Sequence, residues 1–166
     1  MTVKVYQGCS WFNKEQTQHM NNVFAALKEN PTVDYKHSFR PLDDQFNDID
    51  ISKEPEFLNN FYQSLSWGNE TYKSDINGIH CSDLGVFAYH PDYPDDGQAF
   101  ELGYFNACHK PAIVVVPDGY LQKFKDNKSS LNLMIAYGST QVVTVSQLKE
   151  IDLNKVINKP FFGNML

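Results

Sequence analysis

Short apolar runs alternate along the chain with longer stretches in which apolar residues recur every three or four positions. Val3–Gln7 is one such run, closed by Gly8, and reads as a buried strand. Asn13 is then placed as a helix N-cap, with Gln16 three residues on in the spacing of a capping box. Met20, Val23, Phe24 and Leu27 fall at i, i+3, i+4 and i+7, one face of a helix that stops before Pro31. Val33–Phe39 reads as a second strand, leading into Pro41 and the polar loop PLDDQFNDIDISKEP. From Glu54 to about Ser74 the pattern is helical again, with Phe57, Leu58, Phe61 and Leu65 spaced for burial and Gly68 as a weak point.

Leu84–Tyr89 is strand-like, a turn-rich HPDYPDDG follows, and Gln98–Cys108 reads as a helix. Pro111–Pro117 (PAIVVVP) is an unbroken β-branched run, the composition of a strand covered on both faces. A short helix near Leu131–Tyr137 and a strand at Gln141–Val145 complete the pattern. Strands alternating with helices predict an α/β fold: one domain over residues 1–166, with a doubly wound, mostly parallel, five-stranded sheet of flavodoxin-like or Rossmann-like type and helices on both faces. Ligands of such sheets bind beyond the carboxyl ends of the strands. That rule selects Gly8–Phe12, Leu42–Phe46, His90–Glu101 and Lys128–Met134, all rich in polar and aromatic side chains.

Composition narrows the partners. The net charge is −6 over 166 residues, whereas nucleic-acid binding draws on clustered Lys and Arg to release counterions. Mean hydropathy is −0.45, and no apolar run approaches the roughly 18–20 residues of a membrane span. The N-terminal MTVKVY begins directly in a strand and lacks a signal-peptide pattern. Cys9, Cys81 and Cys108 are odd in number and without C-x-x-C spacing, which fits a reducing compartment and neither a disulfide framework nor a zinc site. The expectation is a cytoplasmic protein with no membrane and no nucleic-acid polymer as partner.

The candidate chemistry emerges by elimination. GCSWF follows the first strand where a dinucleotide fold would have G-x-G-x-x-G, and there is no Walker A motif or G-x-S-x-G elbow. The five histidines lack ligand spacing, so no metal is expected, and Cys9 has no histidine nearby in sequence to activate it as a nucleophile. Carboxylates among aromatics remain: Asp75, Asp92, Asp95, Asp96 and Glu101. If Gly97 ends the loop, Glu101 falls in the first turn of the next helix, where the dipole would depress its pKa. Such a carboxylate suits attack on an acetal-like carbon, while a second, kept protonated by its neighbour's charge, protonates the leaving group. On spacing alone, Asp95 and Asp96 equally fit turn and cap residues, and Glu101 a dipole-matched helix residue.

Five segments in order resemble the nucleoside 2-deoxyribosyltransferases: YQGCSWF (Tyr6–Phe12), PLDDQF (Pro41–Phe46), ETYKSDINGI (Glu70–Ile79), DDGQAFELGY (Asp95–Tyr104) and NLMIAYG (Asn132–Gly138). The resemblance runs from the first strand to about Gly138. It implies transfer of 2-deoxyribose from a deoxynucleoside to a free nucleobase, in nucleotide salvage and deoxyribonucleoside catabolism, without cofactor or metal. It further implies that Glu101 is the nucleophile, that Asp75 and Asp95 assist the base and its proton, and that Tyr6 holds the nucleophile and helps exclude a 2′-hydroxyl. Trp11 and Phe12 become the aromatic wall and Gln45 the reader of the base edge, with Phe46 helping to keep the site dry. Asn132 and Met134 would be donated across an interface in a homohexamer built as a trimer of dimers. Each role has a plainer counterpart: Tyr6 as a packed strand residue, Asn132 as an N-cap, Trp67 as core or interface, Lys123, Lys125 and Lys128 as a solvated face.

Family members commonly end in an aromatic residue whose terminal carboxylate reaches the site. This chain ends FFGNML, so Leu166 would bring a carboxylate without the phenol. GCSWF and Gln45 lean toward the branch that accepts purines and pyrimidines, AFELGYFNACHKP and NLMIAYG toward the purine-restricted one; the broad range is the expectation taken here. A deoxynucleoside or deoxynucleoside-monophosphate N-glycosidase, and a non-catalytic nucleoside-binding sensor domain, are the alternatives.

Overall fold

Four strands lie parallel in the order β1 (Val5–Gly8), β2 (Leu84–Ala88), β3 (Ala112–Val116) and β4 (Gln141–Thr144). The structure, a computed structural model, describes residues 1–45, 48–50, 53 and 55–166, without the side chains of 55, 58 and 62. The helices are α1 (Lys14–Glu29), α2 (Phe61–Cys81), α3 (Asp96–Ala107), α4 (Tyr120–Lys125), α5 (Leu133–Gly138) and α6 (Val145–Glu150). None of the described helices is long and apolar enough to cross a membrane.

Alternation along each strand sends side chains to opposite faces. Val5, Val86, Ile113, Val115 and Val143 pack with Val23 and Leu27 of α1 and Leu148 of α6. Tyr6, Phe87, Val114 and Val116 pack with Ile79 of α2, Leu102 and Phe105 of α3, Phe124 of α4 and Ile135 of α5. Helices therefore cover both faces, as the unbroken β-branched runs require.

Where a fifth strand was expected, Val33–Phe39 makes two isolated bridges to the first segment, Val3↔Val33 and Tyr6↔Phe39, with a 3-10 turn at Tyr35–His37 between them. Ser38 explains the break. Its hydroxyl donates to the Asp34 carbonyl at 2.8 Å and accepts the Val5 N–H at 2.9 Å, standing in for a ladder carbonyl. The sheet thus has four regular strands and an irregular edge.

Helix α2 also departs from expectation. It begins at Phe61, after a 3-10 turn at Pro55–Asn59, and runs past Ser74 to Cys81. Among its described residues the buried ones are Gly78 and Ile79, at its C-terminal end, while Phe61 and Leu65 are 68% and 60% exposed and Phe57 is half-buried. Their helical spacing is real, but no element of the sheet lies over them. Glu54, Phe46 and the side chain of Leu58 lie outside the described residues. The helix stops where Lys110 donates its Nζ to the carbonyls of Ile79 (3.0 Å), His80 and Ser82 (2.8 Å), filling the acceptors left open at a C-terminus.

The expected helix after β1 forms as α1, capped by Asn13, whose Oδ1 accepts the Gln16 N–H at 2.8 Å. Helices α4 and α6 were not foreseen, being too short to show a period. Buried Phe124 anchors the first, and the second opens on a capping box of Thr144 and Gln147.

Candidate active site

The site begins at Tyr6, in the middle of β1. Its partner across the ladder is Gly85, and a Cβ at Gly85 would stand 2.7 Å from the Phe87 ring and 3.2 Å from Phe105. That missing side chain lets the Tyr6 ring lie among Phe39 (stacked, centroids 5.5 Å), Phe105 (5.6 Å) and Phe87 (6.2 Å). So caged, Tyr6 is fully buried and its hydroxyl donates to Glu101 Oε1 of α3 at 2.8 Å. Burial raises the phenol's pKa, with the Glu101 and Asp75 charges adding to it, so the proton of this pair stays on Tyr6.

Glu101 was expected in the first turn of its helix with a depressed pKa. The structure corrects both points. Helix α3 starts at Asp96 with Asp95 as its N-cap, which places Glu101 in the second turn, beyond the range over which a helix terminus acts strongly. Burial then pushes its pKa from 4.5 up to about 8, opposed by the Tyr6 hydrogen bond and reinforced by the fields of Asp75 and Asp95. Asp75 is likewise raised, to about 7, by burial first and by the Asp44 charge second. Its buried Oδ1 has no hydrogen-bond partner among the described residues. A protonated second carboxylate was anticipated, but its main cause is burial, not the neighbour's charge.

Asp75 and Asp95 are thus brought close enough to Glu101 for their charges to act on it, whereas Asp92 and Asp96 are not among the charges acting on it. Asp92 instead accepts the Tyr120 hydroxyl. Asp95 has one oxygen committed, since Oδ1 accepts the Gln98 N–H at 2.7 Å. Cys9 is buried beside the cluster, and burial pushes its thiol pKa up, with Glu101, Asp75 and Asp95 adding. That holds it protonated and unreactive at neutral pH.

The aromatic wall lies at the mouth of β1. Trp11 is half-buried and stacks on Phe12 at 5.2 Å, while Phe12 is 68% exposed. Gln45 is buried and its Oε1 has no partner. Asn132 and Met134 lie elsewhere. With Asp95, Leu102, Asn106 and Leu166 they line a groove of about 730 Å³ between α3 and α5, on the helix face opposite Glu101. Asn132 is exposed and caps α5 through Oδ1 to the Met134 N–H (2.9 Å), and Met134 is 73% exposed. Leu166 is tied to the same groove through backbone bonds with Leu131 and Leu133.

Two participants escaped the sequence. Asp44 acts on Asp75, and its carbonyl accepts the Ser74 hydroxyl at 3.3 Å, fastening the PLDD loop to α2. Gln98 is buried and donates Nε2 to Ser10 Oγ (3.0 Å) and the Ala88 carbonyl (3.2 Å), joining α3 to the ends of β1 and β2. A glutamine one turn before a buried glutamate was the only available signal. Among the described residues no group of three or more His, Cys, Asp or Glu could hold a metal ion.

A family model for nucleoside 2-deoxyribosyltransferase matches residues 5–134. The chain belongs to that family, a family of transferases. A nucleoside deoxyribosyltransferase of Lactobacillus leichmannii is 36% identical over 151 residues, covering 91% of this chain and 90% of its own length. Another, from Limosilactobacillus fermentum, is 35% identical over 161 residues, covering 95% and 90%. The solved 2-deoxyribosyltransferase of Bacillus psychrosaccharolyticus shares the fold with a TM-score of 0.69 at 23% identity, covering 96% of this chain and 100% of that one.

The raised pKa of Glu101 has a sign that stability measurements read. Between 4.5 and about 8 the folded state holds a proton that the unfolded chain has released, so stability falls as pH rises through that window. Glu101→Gln removes the buried charge. Its melting temperature should match the wild type near pH 4.5 and exceed it at pH 8.5 by roughly 4–8 °C, the shift that ~2 kcal/mol gives a chain of this size. A difference that does not grow with pH contradicts the buried-anion account.

Proposed function

We propose that the protein transfers 2-deoxyribose between nucleobases by a retaining double displacement, and that Glu101 forms the covalent intermediate. The observation that carries this reading is the Tyr6 hydroxyl held at 2.8 Å from a half-buried Glu101 on which the Asp75 and Asp95 charges act. Glu101, as the anion, attacks C1′ of the deoxynucleoside while the C1′–N bond breaks and the base leaves with a proton from Asp75. A second base then attacks C1′, the C1′–O bond to Glu101 breaks, and the incoming base returns its proton to the Asp75 carboxylate. Asp75 takes the proton role because its carboxyl is raised to about 7 and its Oδ1 is unpartnered, whereas Asp95 has one oxygen committed to the cap and orients the base with the other.

Glu101 and Asp75 hold one proton between them near pH 7–8, and two contacts bias where it sits. Glu101 is raised further than Asp75, so the proton rests mainly on Glu101, while the Tyr6 donor and the Asp44 charge both lower the cost of the reactive arrangement with Glu101 ionised and Asp75 protonated. Trp11 and Phe12 supply an aromatic wall that keeps water from competing with the incoming base. Every nucleobase carries an N–H donor on its edge, so the unpaired Oε1 of Gln45 favours a range that includes purines and pyrimidines. The charges acting on Glu101 and Asp75 are all negative, which argues for an uncharged nucleoside over a monophosphate. In this reading a single 1–166 domain, its sheet doubly wound about β1, serves deoxynucleoside salvage in the cytoplasm.

Asn132 and Met134, on the far face of α3, serve the Glu101 of another copy. Exposed Phe61, Leu65, Phe100 and Tyr137 offer apolar surface for the association, a hexamer built as a trimer of dimers. A shared site has a sharp consequence. Glu101→Ala and Asn132→Ala, each weakly active alone, should regain transfer when their subunits are mixed and exchanged, because some sites then receive both native residues. Mixtures no more active than the sum of their parts would mean unshared sites.

Transfer itself is tested with thymidine and adenine. Deoxyadenosine should form faster than free deoxyribose, intact-mass analysis should find one deoxyribosyl unit on Glu101, and Glu101→Ala should lose at least ~10³ in rate. Deoxyribose released equally with and without adenine identifies a hydrolase; binding without turnover identifies a sensor.

The pH profile follows from the same pair. kcat/KM should be bell-shaped with its optimum between 7 and 8, falling on the acid side as Glu101 is protonated and on the alkaline side as Asp75 ionises. Tyr6→Phe removes a donor to the anion and raises Glu101 further, so the plateau should fall and the alkaline limb move to higher pH; a plateau and limb that stay put would separate Tyr6 from the nucleophile's charge.

A further inference from the structure

The Asn13–Gln16 pair has the spacing of a capping box, but the structure uses Gln16 differently. Its side chain does not return to the Asn13 N–H. Oε1 accepts the Phe12 N–H at 3.0 Å, and Nε2 donates to the Tyr93 carbonyl at 3.0 Å. A backbone N–H only donates and a carbonyl only accepts, so these two partners fix which way the amide points. Gln16 is 5% exposed. Phe12 stands in the loop leaving β1, and Tyr93 in the loop leaving β2, two residues before Asp95 caps the helix that carries Glu101. The Phe12 ring is exposed and touches Trp11, so its backbone hydrogen bond to Gln16 is what ties it toward the Asp95 loop.

We propose that Gln16 is a positioning residue that joins the Trp11–Phe12 wall to the Asp95 loop, so that both close on a nucleobase as one unit. The identity of the ligand rests on the deoxyribosyl-transfer reading. The hydrogen bonds of Gln16 go to Phe12 and Tyr93 and not to the Tyr6–Glu101 pair, so cutting the tie weakens base binding and spares the chemical step.

Gln16→Met keeps the volume and removes both bonds. Gln16→Glu keeps an acceptor for Phe12 and turns a carboxylate toward the Tyr93 carbonyl. Kinetics with thymidine and adenine should show KM raised about tenfold in both variants, kcat within about threefold of wild type, and unmoved pH limbs. In a Trp67→Phe background, where Trp11 alone reports, the Kd for adenine from fluorescence should rise by the same factor. KM and Kd within about twofold of wild type in both variants overturn the proposal. So does a fall in kcat at constant KM, which would place the effect on Glu101, and so does loss of the folded state in both variants, which would make Gln16 a core residue only. If the wild type binds adenine without transferring deoxyribose, the functional reading fails and the Kd comparison still decides the role of Gln16. A wild type that does neither overturns both.

Discussion

A carboxylate removed from water is stable only as far as hydrogen bonds and nearby charges replace its hydration, and among the described residues Glu101 has a single side-chain donor, the Tyr6 hydroxyl. The remainder of the site arranges for that one contact to hold. Tyr6 must point along one line, so three aromatic rings confine it, and one of them, Phe39, comes from the irregular edge of the sheet. The rings fit because Gly85 opposes Tyr6 and because Gly78, at the end of α2, lets Phe39 approach; a Cβ at Gly78 would come within 2.5 Å of the Phe39 ring. A functional carboxylate therefore dictates glycines on two other elements.

Helix α3 works on both sides of this arrangement. One face turns Glu101 inward to Tyr6, and the opposite face offers Leu102 and Asn106 to the groove that holds Asn132. Its N-cap, Asp95, is one of the charges that act on Glu101, so the bond that starts the helix also fixes that carboxylate's orientation. Gln98 then anchors the first turn to Ser10 and Ala88. A shift of α3 along the sheet would move Glu101, Asp95 and the groove together, and the buried amide of Gln98 resists that shift at the point where all three meet.

Much of this was legible in the residues before the fold was known. Asn13 and the Met20–Leu27 spacing located α1, and the β-branched PAIVVVP located β3, because local signals and tertiary packing agree there. The motif residues Tyr6, Asp75 and Asp95 stand close enough for a hydrogen bond or a charge to act on Glu101, whatever role they serve. Legibility failed where a contact distant in sequence decides the outcome. Ser38 replaces a ladder carbonyl and breaks a strand that its composition supports. Phe61 and Leu65 have the spacing of a buried face, yet both stay largely exposed, and periodicity cannot say which surface a helix face will meet. The protonation of Glu101 was read with the wrong sign, since helix position is local and burial is not.

The sign matters for the chemistry. A depressed pKa would make Glu101 a weakly basic anion, well suited to structure and poor at attack. A carboxylate raised to about 8 is more basic and, once ionised in a dry cavity, gains more by bonding to an electron-poor carbon. The surrounding charges act in the same sense. Asp44, Asp75 and Asp95 contribute negative field to the cluster, and no cation is among the influences on Glu101 or Asp75. That field disfavours each anion in the resting site and would favour any positive charge placed among them. An oxocarbenium-like centre at C1′ carries such a charge only as the C1′–N bond breaks, and a deoxysugar, lacking the electron-withdrawing 2′-hydroxyl, develops it most easily. In the proposed transfer the mutual repulsion of these carboxylates would be relieved mainly at the transition state, where relief speeds the reaction instead of tightening the substrate. The acidic balance of the chain, which first argued only against a polyanionic partner, here becomes a local preference for the cation that the proposed transfer would pass through.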